Sequence, residues 1–159
     1  MIDLNLLAPG VELPGMDLRD ANLHGKDLRD ADMTGADLRD ANLTNTSLIR
    51  ADMTGADMTS AVMIGADMTD ATLRSANLAG ADLRDAILAR ADLTRANLGG
   101  ADLSNADLPL AVLIGANLRG VDLSGANLRD TFLGGATYNA ETVWPAGFDP
   151  TTADAALID

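Results

Sequence analysis

The main candidates for acid–base chemistry or metal binding in this chain are one histidine, His24, and twenty-four acidic residues. The chain has no cysteine, which excludes disulfides, zinc–thiolate sites and thiol catalysis. A lone histidine without a nucleophile or a second imidazole nearby in the sequence is typical of a solvated surface residue. The sequence has no phosphate-binding loop with its lysine and no dinucleotide fingerprint. We therefore predict no enzyme activity, no cofactor and no metal site.

The charge balance restricts the partners. Eleven basic and twenty-four acidic residues among 159 give a net charge of −13, which disfavours direct contact with nucleic acid or an anionic membrane surface. No segment approaches the roughly eighteen apolar residues of a membrane span. The acidic start, Met1-Ile2-Asp3-Leu4, is unlike the basic start of a signal peptide. These features predict a cytoplasmic protein that meets other proteins.

The acidic residues belong to a five-residue repeat that organises most of the chain. From Leu13 to Leu133 every fifth residue is Leu or Met, at twenty-five positions without interruption. The residue two places earlier is Ala in nineteen units, and the residue between them is Asp or Asn in eighteen. Five residues advance an α-helix by about 500°, and a strand alternates its faces every second residue. Neither element keeps the leucines on one side, so the chain must bend once per unit.

The fourth and fifth residues of each unit have the chemistry of a turn. Pro14 and Pro109 occupy fourth positions, and the fifth positions hold eleven glycines together with Asn45 and Asn105. Aspartates at other fifth positions favour a type I turn, so we predict a mixture of turn types. Repeated bends of one sense produce a stacked β-solenoid, in which the Ala and Leu/Met columns are enclosed and the second positions face outward.

Units such as Ala36-Asp37-Leu38-Arg39-Asp40 and Ala81-Asp82-Leu83-Arg84-Asp85 resemble those of the bacterial pentapeptide-repeat family, over residues 11–135. This resemblance implies an all-β, right-handed quadrilateral β-helix with four units per coil, and so about six coils. The segment 138–150 is similar to the endings of cyanobacterial members. The predicted organisation is an N-terminal cap at 1–10, the β-helix at 11–135, and a C-terminal cap or tail at 136–159.

We predict a non-catalytic structural or protein-interaction module whose protein partner is unidentified. The resemblance implies an alternative, because some family members are acidic DNA mimics that bind DNA gyrase and confer fluoroquinolone resistance. A duplex about 30 Å long carries about 18 charges, comparable with −13 here, although interspersed arginines dilute the mimicry. The candidate interaction face is the densest acidic strip, which consists of Asp17, Asp20, Asp37, Asp40 and Asp57.

Both ends of a solenoid need caps, because they leave open strand edges. In the C-terminal segment Tyr138, Val143 and Phe148 continue the spacing of the leucines, so we predict that they point inward. Residues 151–158 are predicted to form either a short final helix or a disordered tail.

An apolar patch is predicted beside the C-terminal coils. With twenty residues per coil, Val112 and Phe132 are neighbours on successive coils, flanked by Leu110 and Ile114. We expect this patch to be covered by the tail or by a second subunit, which predicts a monomer or a homodimer through the C-terminal end. The residues of this candidate cap or dimer patch are Leu110, Val112, Ile114, Phe132, Trp144 and Phe148.

Overall fold

The computed structural model describes residues 3–158. Parallel β-bridges join second-position residues that lie twenty apart, from Glu12↔Asp32 to Val112↔Phe132 and Asn117↔Thr137. Each five-residue unit contributes one bridge residue and one turn, so four units complete a coil before the chain meets its own previous turn. The structure is a β-helix solenoid whose coils stack in a constant register.

The bridges form four columns, which define the four sides of the solenoid. Side A contains the second-position residues 12, 32, 52, 72, 92, 112 and 132. Side B contains 17, 37, 57, 77, 97, 117 and 137. Side C contains 22, 42, 62, 82, 102, 122 and 143, and side D contains 27, 47, 67, 87, 107 and 127.

The core consists of the two inward columns. Third-position residues from Leu13 to Leu123 are at most 2% exposed, and first-position alanines from Ala31 to Ala116 are at most 1% exposed. A small alanine beside each large aliphatic side chain lets four sides meet around one narrow interior. Burial of this apolar surface is the main stabilising contribution to the fold.

All the corners share one turn geometry. Every fifth-position residue from Gly15 to Gly135 has a positive φ, between 54° and 70°, whereas no fourth-position residue described has one. The turn is closed by a backbone hydrogen bond, as where Met16 N donates to Leu13 O at 3.2 Å. This combination is the type II signature. The predicted mixture of turn types is therefore wrong, because Asp20 also has a φ of 56°, a region that Asp and Asn tolerate better than most residues.

The N-terminal end is covered by a 3-10 helix at Leu4–Leu6. The Asp3 carboxylate caps it by accepting a hydrogen bond from Asn5 N at 3.0 Å. Leu4 and Leu7 pack against the core, whereas Leu6 is exposed. Met1 and Ile2, part of the cap predicted for residues 1–10, lie outside the described residues.

The C-terminal segment closes the other end with a strand pair. Strand β1 at Thr137–Tyr138 pairs in parallel with strand β2 at Ala156–Leu157. Between them a 3-10 helix at Pro150–Ala153 is capped by Asp149, whose Oδ1 accepts from Thr151 N at 2.9 Å. The described part of the tail predicted as helix or disorder is therefore one 3-10 turn followed by a strand, and Asp159 lies outside the described residues.

The register changes by one residue after Tyr138. Asn117 bridges Thr137, twenty residues on, but Asp122 bridges Val143, twenty-one residues on. Tyr138 points inward at 8% exposure, as predicted, whereas Val143 is 47% exposed. The predicted inward position of Val143 is wrong, because the corner after Tyr138 contains one extra residue and moves Val143 to an outward position.

Candidate functional site

The structure gathers the predicted acidic strip along side B and the corner that follows it. Asp17, Asp37 and Asp57 occupy one column, joined by successive β-bridges. Asp20 and Asp40 lie at the adjacent corner with φ values of 56° and 59°. The column stops being acidic beyond Asp57, because its next members are the amides Asn77, Asn97 and Asn117.

Two arginines run through this strip and pair with its carboxylates. Arg19 binds Asp17 with both ends of its guanidinium, at 2.8 and 2.7 Å, and Arg39 binds Asp37 in the same way at 2.8 and 2.6 Å. Each arginine also reaches the next coil, since Arg19 Nε lies 3.5 Å from Asp37 and Arg39 Nε lies 3.8 Å from Asp57. The strip is therefore an alternating ladder of opposite charges rather than a uniform negative surface.

The amide part of side B continues the column as a hydrogen-bonded ladder. Asn117 Nδ2 donates to Asn97 Oδ1 at 2.8 Å, and Asn97 Nδ2 donates to Asn77 Oδ1 at 2.9 Å. Asn77 Nδ2 completes the series by donating to Asp57 Oδ1 at 3.2 Å and Thr59 Oγ1 at 2.8 Å. Side B thus satisfies its polar groups internally along its length.

Sequence reasoning missed a second type of ion pair, which joins consecutive coils at the corner between sides D and A. Arg50 binds Asp30 through two contacts of 2.7 Å, and Arg90 binds Asp70 through two contacts of 2.6 Å. The signal that could have revealed these pairs is their offset of twenty residues at fifth positions. Bidentate arginine–carboxylate pairs are the geometry in which a surface ion pair contributes most.

These arginines lower the pKa of their carboxylate partners. Hydrogen bonds from the Arg19 side chain lower the pKa of Asp17 to about 2. The Arg50 side chain lowers the pKa of Asp30, and the Arg90 side chain lowers that of Asp70, through the same kind of contact. Protonation of these carboxylates therefore requires stronger acid in the folded chain than in the unfolded one.

Lowered carboxyl pKa values predict a loss of stability in acid. The stabilisation is fully present above the ordinary carboxyl pKa of about 3.9, and it disappears as the pH falls toward the folded-state value of about 2 for Asp17. Thermal unfolding followed by circular dichroism should show a Tm that falls between pH 4 and pH 2. Arg50→Gln should lower the Tm at pH 7, and the difference from the unmodified chain should shrink as the pH falls below the ordinary carboxyl pKa and Asp30 becomes protonated. A difference that stays constant as the pH falls would contradict this account.

The predicted apolar patch is largely exposed. Phe132 is 53% exposed, Ile114 47% and Leu110 43%, whereas Val112 is half-buried beneath Phe132 in the side A column. The residues that approach it from the tail are Ala153 and Asp154, which line a surface cavity of about 290 Å³ together with Ile114 and Phe132. The tail therefore borders the patch and leaves its centre open.

Trp144 and Phe148 lie on the end of the core instead of over the patch. Trp144 stacks on Phe148 with ring centroids 5.2 Å apart and meets Tyr138 edge-on at 5.4 Å. The one-residue register change explains this placement, because Trp144 directly follows the outward Val143 and so takes the inward position. The aromatic side chains close the interior, and the six residues predicted as one patch form two separate groups.

The described residues include no cluster that could hold a metal ion. His24 lies exposed at a corner, where its backbone N–H donates to Asn22 Oδ1 at 3.3 Å. Within residues 3–158 no three His, Cys, Asp or Glu side chains come together in a way that could hold a metal ion. The same part of the chain includes no helix with the length and hydropathy of a membrane span. The surface features that remain are the charge ladder and the exposed apolar patch.

The register, the enclosed Leu/Met column and the turn at every fifth residue define a repeat protein of the β-solenoid class. A model of the pentapeptide repeats, in eight copies, matches residues 8–35, 36–74, 71–108 and 91–130. This chain therefore belongs to the pentapeptide repeat family. None of the curated proteins compared with the chain matches it.

Solved structures with the same fold come from several sources. HetL of Nostoc sp. strain PCC 7120, a pentapeptide repeat protein involved in heterocyst differentiation regulation, has 24% identity and a TM-score of 0.59, over 92% of this chain and 87% of that one. A pentapeptide repeat protein of the Arabidopsis thaliana thylakoid lumen has 33% identity and a TM-score of 0.60, over 62% and 68%. Trypsin-treated QnrB1, a plasmid-mediated fluoroquinolone resistance protein, has 20% identity and a TM-score of 0.52, over 91% and 78%.

Proposed function

We propose that this chain is a non-catalytic protein-interaction module that binds a partner protein on side A of its C-terminal coils. The observation that carries the proposal is the exposure of Phe132, Ile114 and Leu110 side by side on a surface whose other outward positions are mostly polar. Exposed apolar side chains in a contiguous group mark binding sites more often than scattered ones do. The supporting solenoid is proposed to be right-handed, with about six coils over 11–135 between caps at 1–10 and 136–159.

The backbone of Leu110 supports this assignment. Its φ is 60° at a fifth position, where glycine, asparagine or aspartate would fit with less strain. A leucine there gains little from burial, because its side chain is 43% exposed. The fold requires this φ at every corner but does not require a leucine there, which supports a role for the exposed side chain in binding.

The proposal predicts that Phe132→Asp abolishes partner binding and leaves the fold intact. Aspartate is a common residue at outward second positions, so the Tm should change by no more than about 2 °C. The control is Ile87→Asp, the same kind of change at an exposed second position on side D. In affinity capture from native lysate, the partner protein should be retained by the unmodified chain and by Ile87→Asp but not by Phe132→Asp. A partner protein that all three chains retain equally would contradict the proposal.

The patch also accommodates a second copy of the chain, as a homodimer through the C-terminal end. Sedimentation equilibrium of the unmodified chain and of Phe132→Asp separates the two cases. A monomer in both samples favours a different protein as the partner, and a dimer that Phe132→Asp dissociates favours a second copy.

The alternative function is a DNA mimic that binds DNA gyrase. Its support is the net charge of −13 on a rod-shaped solenoid. The pairing of Arg19 and Arg39 with the strip of Asp17, Asp37 and Asp57 lowers the charge density that a mimic needs. A gyrase supercoiling assay with and without ciprofloxacin tests it, and inhibition or protection at micromolar protein would favour the mimic over the interaction module.

A further inference from the structure

We propose that the partner segment bound at the apolar patch is acidic, with an apolar side chain on Phe132 and Ile114 and a carboxylate on Arg95. This inference rests on the proposed function, because it assigns the chemistry of the partner that the patch binds. The occupant is a peptide segment of another protein, and its recognition elements are one apolar anchor and one carboxylate.

Arg95 differs from most arginines of this chain. Within residues 3–158 no carboxylate oxygen lies within 4.0 Å of its guanidinium, whereas Arg19, Arg39 and Arg90 each grip an aspartate through two contacts. Arg95 is exposed at the corner between sides A and B, on which the described fourth and fifth positions hold no acidic residue. Its charge is therefore available to a ligand.

The surroundings of Arg95 suit a carboxylate. Arg74, Ser75, Thr94, Arg95 and Ile114 line a surface pocket of about 250 Å³. The pocket combines two guanidinium groups with the Ser75 hydroxyl, all of which can donate hydrogen bonds to an anion, whereas the Thr94 hydroxyl already donates to Asp92 Oδ1. Arg74 is only loosely engaged, because its Nη1 lies 3.6 Å from an Asp92 oxygen and its side chain is 60% exposed.

Ile114 joins this pocket to the apolar patch. Its side chain lines the arginine pocket and also the cavity of about 290 Å³ beside Phe132. Arg95 N donates to Ile114 O at 2.9 Å, so the two residues occupy the same corner on successive coils. One more coil separates Ile114 from the level of Phe132, which places the charged and apolar sites about 10 Å apart along the solenoid axis.

This spacing sets the length of the recognised segment. An extended peptide advances about 3.3 Å per residue, so the carboxylate should lie three or four residues from the apolar anchor. Carboxylates beyond a Debye length of about 8 Å are screened at physiological ionic strength. Two carboxylates lie nearer, Asp92 beside Arg74 and Asp154 beside Phe132, so the carboxylate of the segment should lie on Arg95 and only an apolar side chain should lie on Phe132. Complementarity at the patch then decides which acidic segments bind.

The test uses random dodecapeptides displayed on phage and selected on the full-length chain, with Phe132→Asp as the counter-selection. We expect the enriched peptides to contain Asp or Glu three or four residues from an aromatic or large aliphatic residue. Fluorescence anisotropy with synthetic copies should show Kd values at least about tenfold weaker for Arg95→Gln, because one charged hydrogen bond is lost. The control Arg50→Gln removes the same charge from a fifth position that lies three coils away from Leu110, and it should change Kd by less than about twofold.

The outcomes separate this inference from the proposed function. Peptides that require Phe132 but bind Arg95→Gln as tightly as the unmodified chain would contradict the proposal of an acidic segment. They would still support the proposed function as an interaction module. A selection that enriches no peptide beyond those removed by Phe132→Asp would overturn the peptide inference, whereas the affinity capture with Phe132→Asp and Ile87→Asp decides the proposed function. A chain that dimerises through Phe132 would overturn the peptide in favour of a second copy. Circular dichroism of each variant confirms that the coil is intact.

Discussion

Leu43→Ala should lower the free energy of unfolding by about 3 to 5 kcal/mol. Leu43 is fully buried in the third-position column, where the side chains from three other sides and from the coils above and below surround it. The β-bridges hold each coil at a fixed register on its neighbours, so the walls cannot collapse into the space that the substitution leaves. Urea unfolding followed by circular dichroism measures the change.

The matched control is Leu110→Ala, the same deletion at a leucine that is 43% exposed. Its expected effect is below about 1 kcal/mol, because little apolar surface is removed from the interior and no cavity forms. Equal losses for the two variants would contradict the enclosed column. A smaller m-value for Leu43→Ala alone would show that coils on the two sides of residue 43 unfold separately, as nearest-neighbour coupling in a solenoid allows.

Trp144→Ala should lower the free energy of unfolding by about 3 kcal/mol, the lower end of the range for large aromatic residues, because Trp144 is only partly buried. Its ring lies between Tyr138 and Phe148 and closes the C-terminal end of the core. Loss of the ring exposes the last inward leucines and releases the segment that leads to β2. Hydrogen exchange at Ala156 and Ile158, whose amides donate to Ala136 and Tyr138, should increase together with the loss of stability.

Trp144→Phe separates the contribution of ring packing at residue 144 from that of the indole N–H. Trp144 Nε1 is buried without a hydrogen-bond partner among the described residues, and such a group costs about 1 to 3 kcal/mol. Phenylalanine keeps a ring against Phe148 and removes that unpaired donor, so its destabilisation should be less than half that of alanine. A loss as large as that of Trp144→Ala would mean that the indole N–H contributes favourably.

The sequence predicts the interior well because its five-residue period is compatible with only one arrangement of the chain. A residue every five positions, from Leu13 to Leu133, can share an interior only if the chain bends at each unit, and the structure buries this column throughout. The turn at Asp20 was predicted less well, since local preference favours type I. Stacking decides instead, because one divergent corner would break the hydrogen bonds that its neighbours make, such as Asp20 N to Arg39 O at 3.0 Å.

The C-terminal end shows where the pattern misleads. Val143 continues the spacing of five, yet Thr142 takes the first position, and its Oγ1 donates to Leu118 O at 2.8 Å. Thr46 and Thr131 make the equivalent bond to Leu23 O and Leu108 O, both at 2.8 Å. A threonine at a first position is therefore satisfied by a carbonyl in the coil below, a preference that spacing alone does not reveal.

The sequence predicts where the aspartates of the candidate sites lie, but it does not predict which arginines pair with them. Side B groups Asp17, Asp37 and Asp57 because identical positions recur every twenty residues. The ladder through Arg19 and Arg39 depends on side-chain rotamers that the repeat does not specify. Arg95 had no sequence signal of its own, because its isolation from carboxylates follows from what occupies the same corner on neighbouring coils.

The constant stacking register has a consequence for how such a surface can change. Removing one whole quintet upstream of residue 110 would still place leucine over leucine, but every later side chain would turn by a quarter of the circumference. The residues around Phe132 would then stack on side D instead of side A, next to different charged side chains. A gain or loss of five residues thus changes which outward side chains are neighbours, while the buried columns stay aligned. Four such changes add or remove one whole coil and restore the original neighbours.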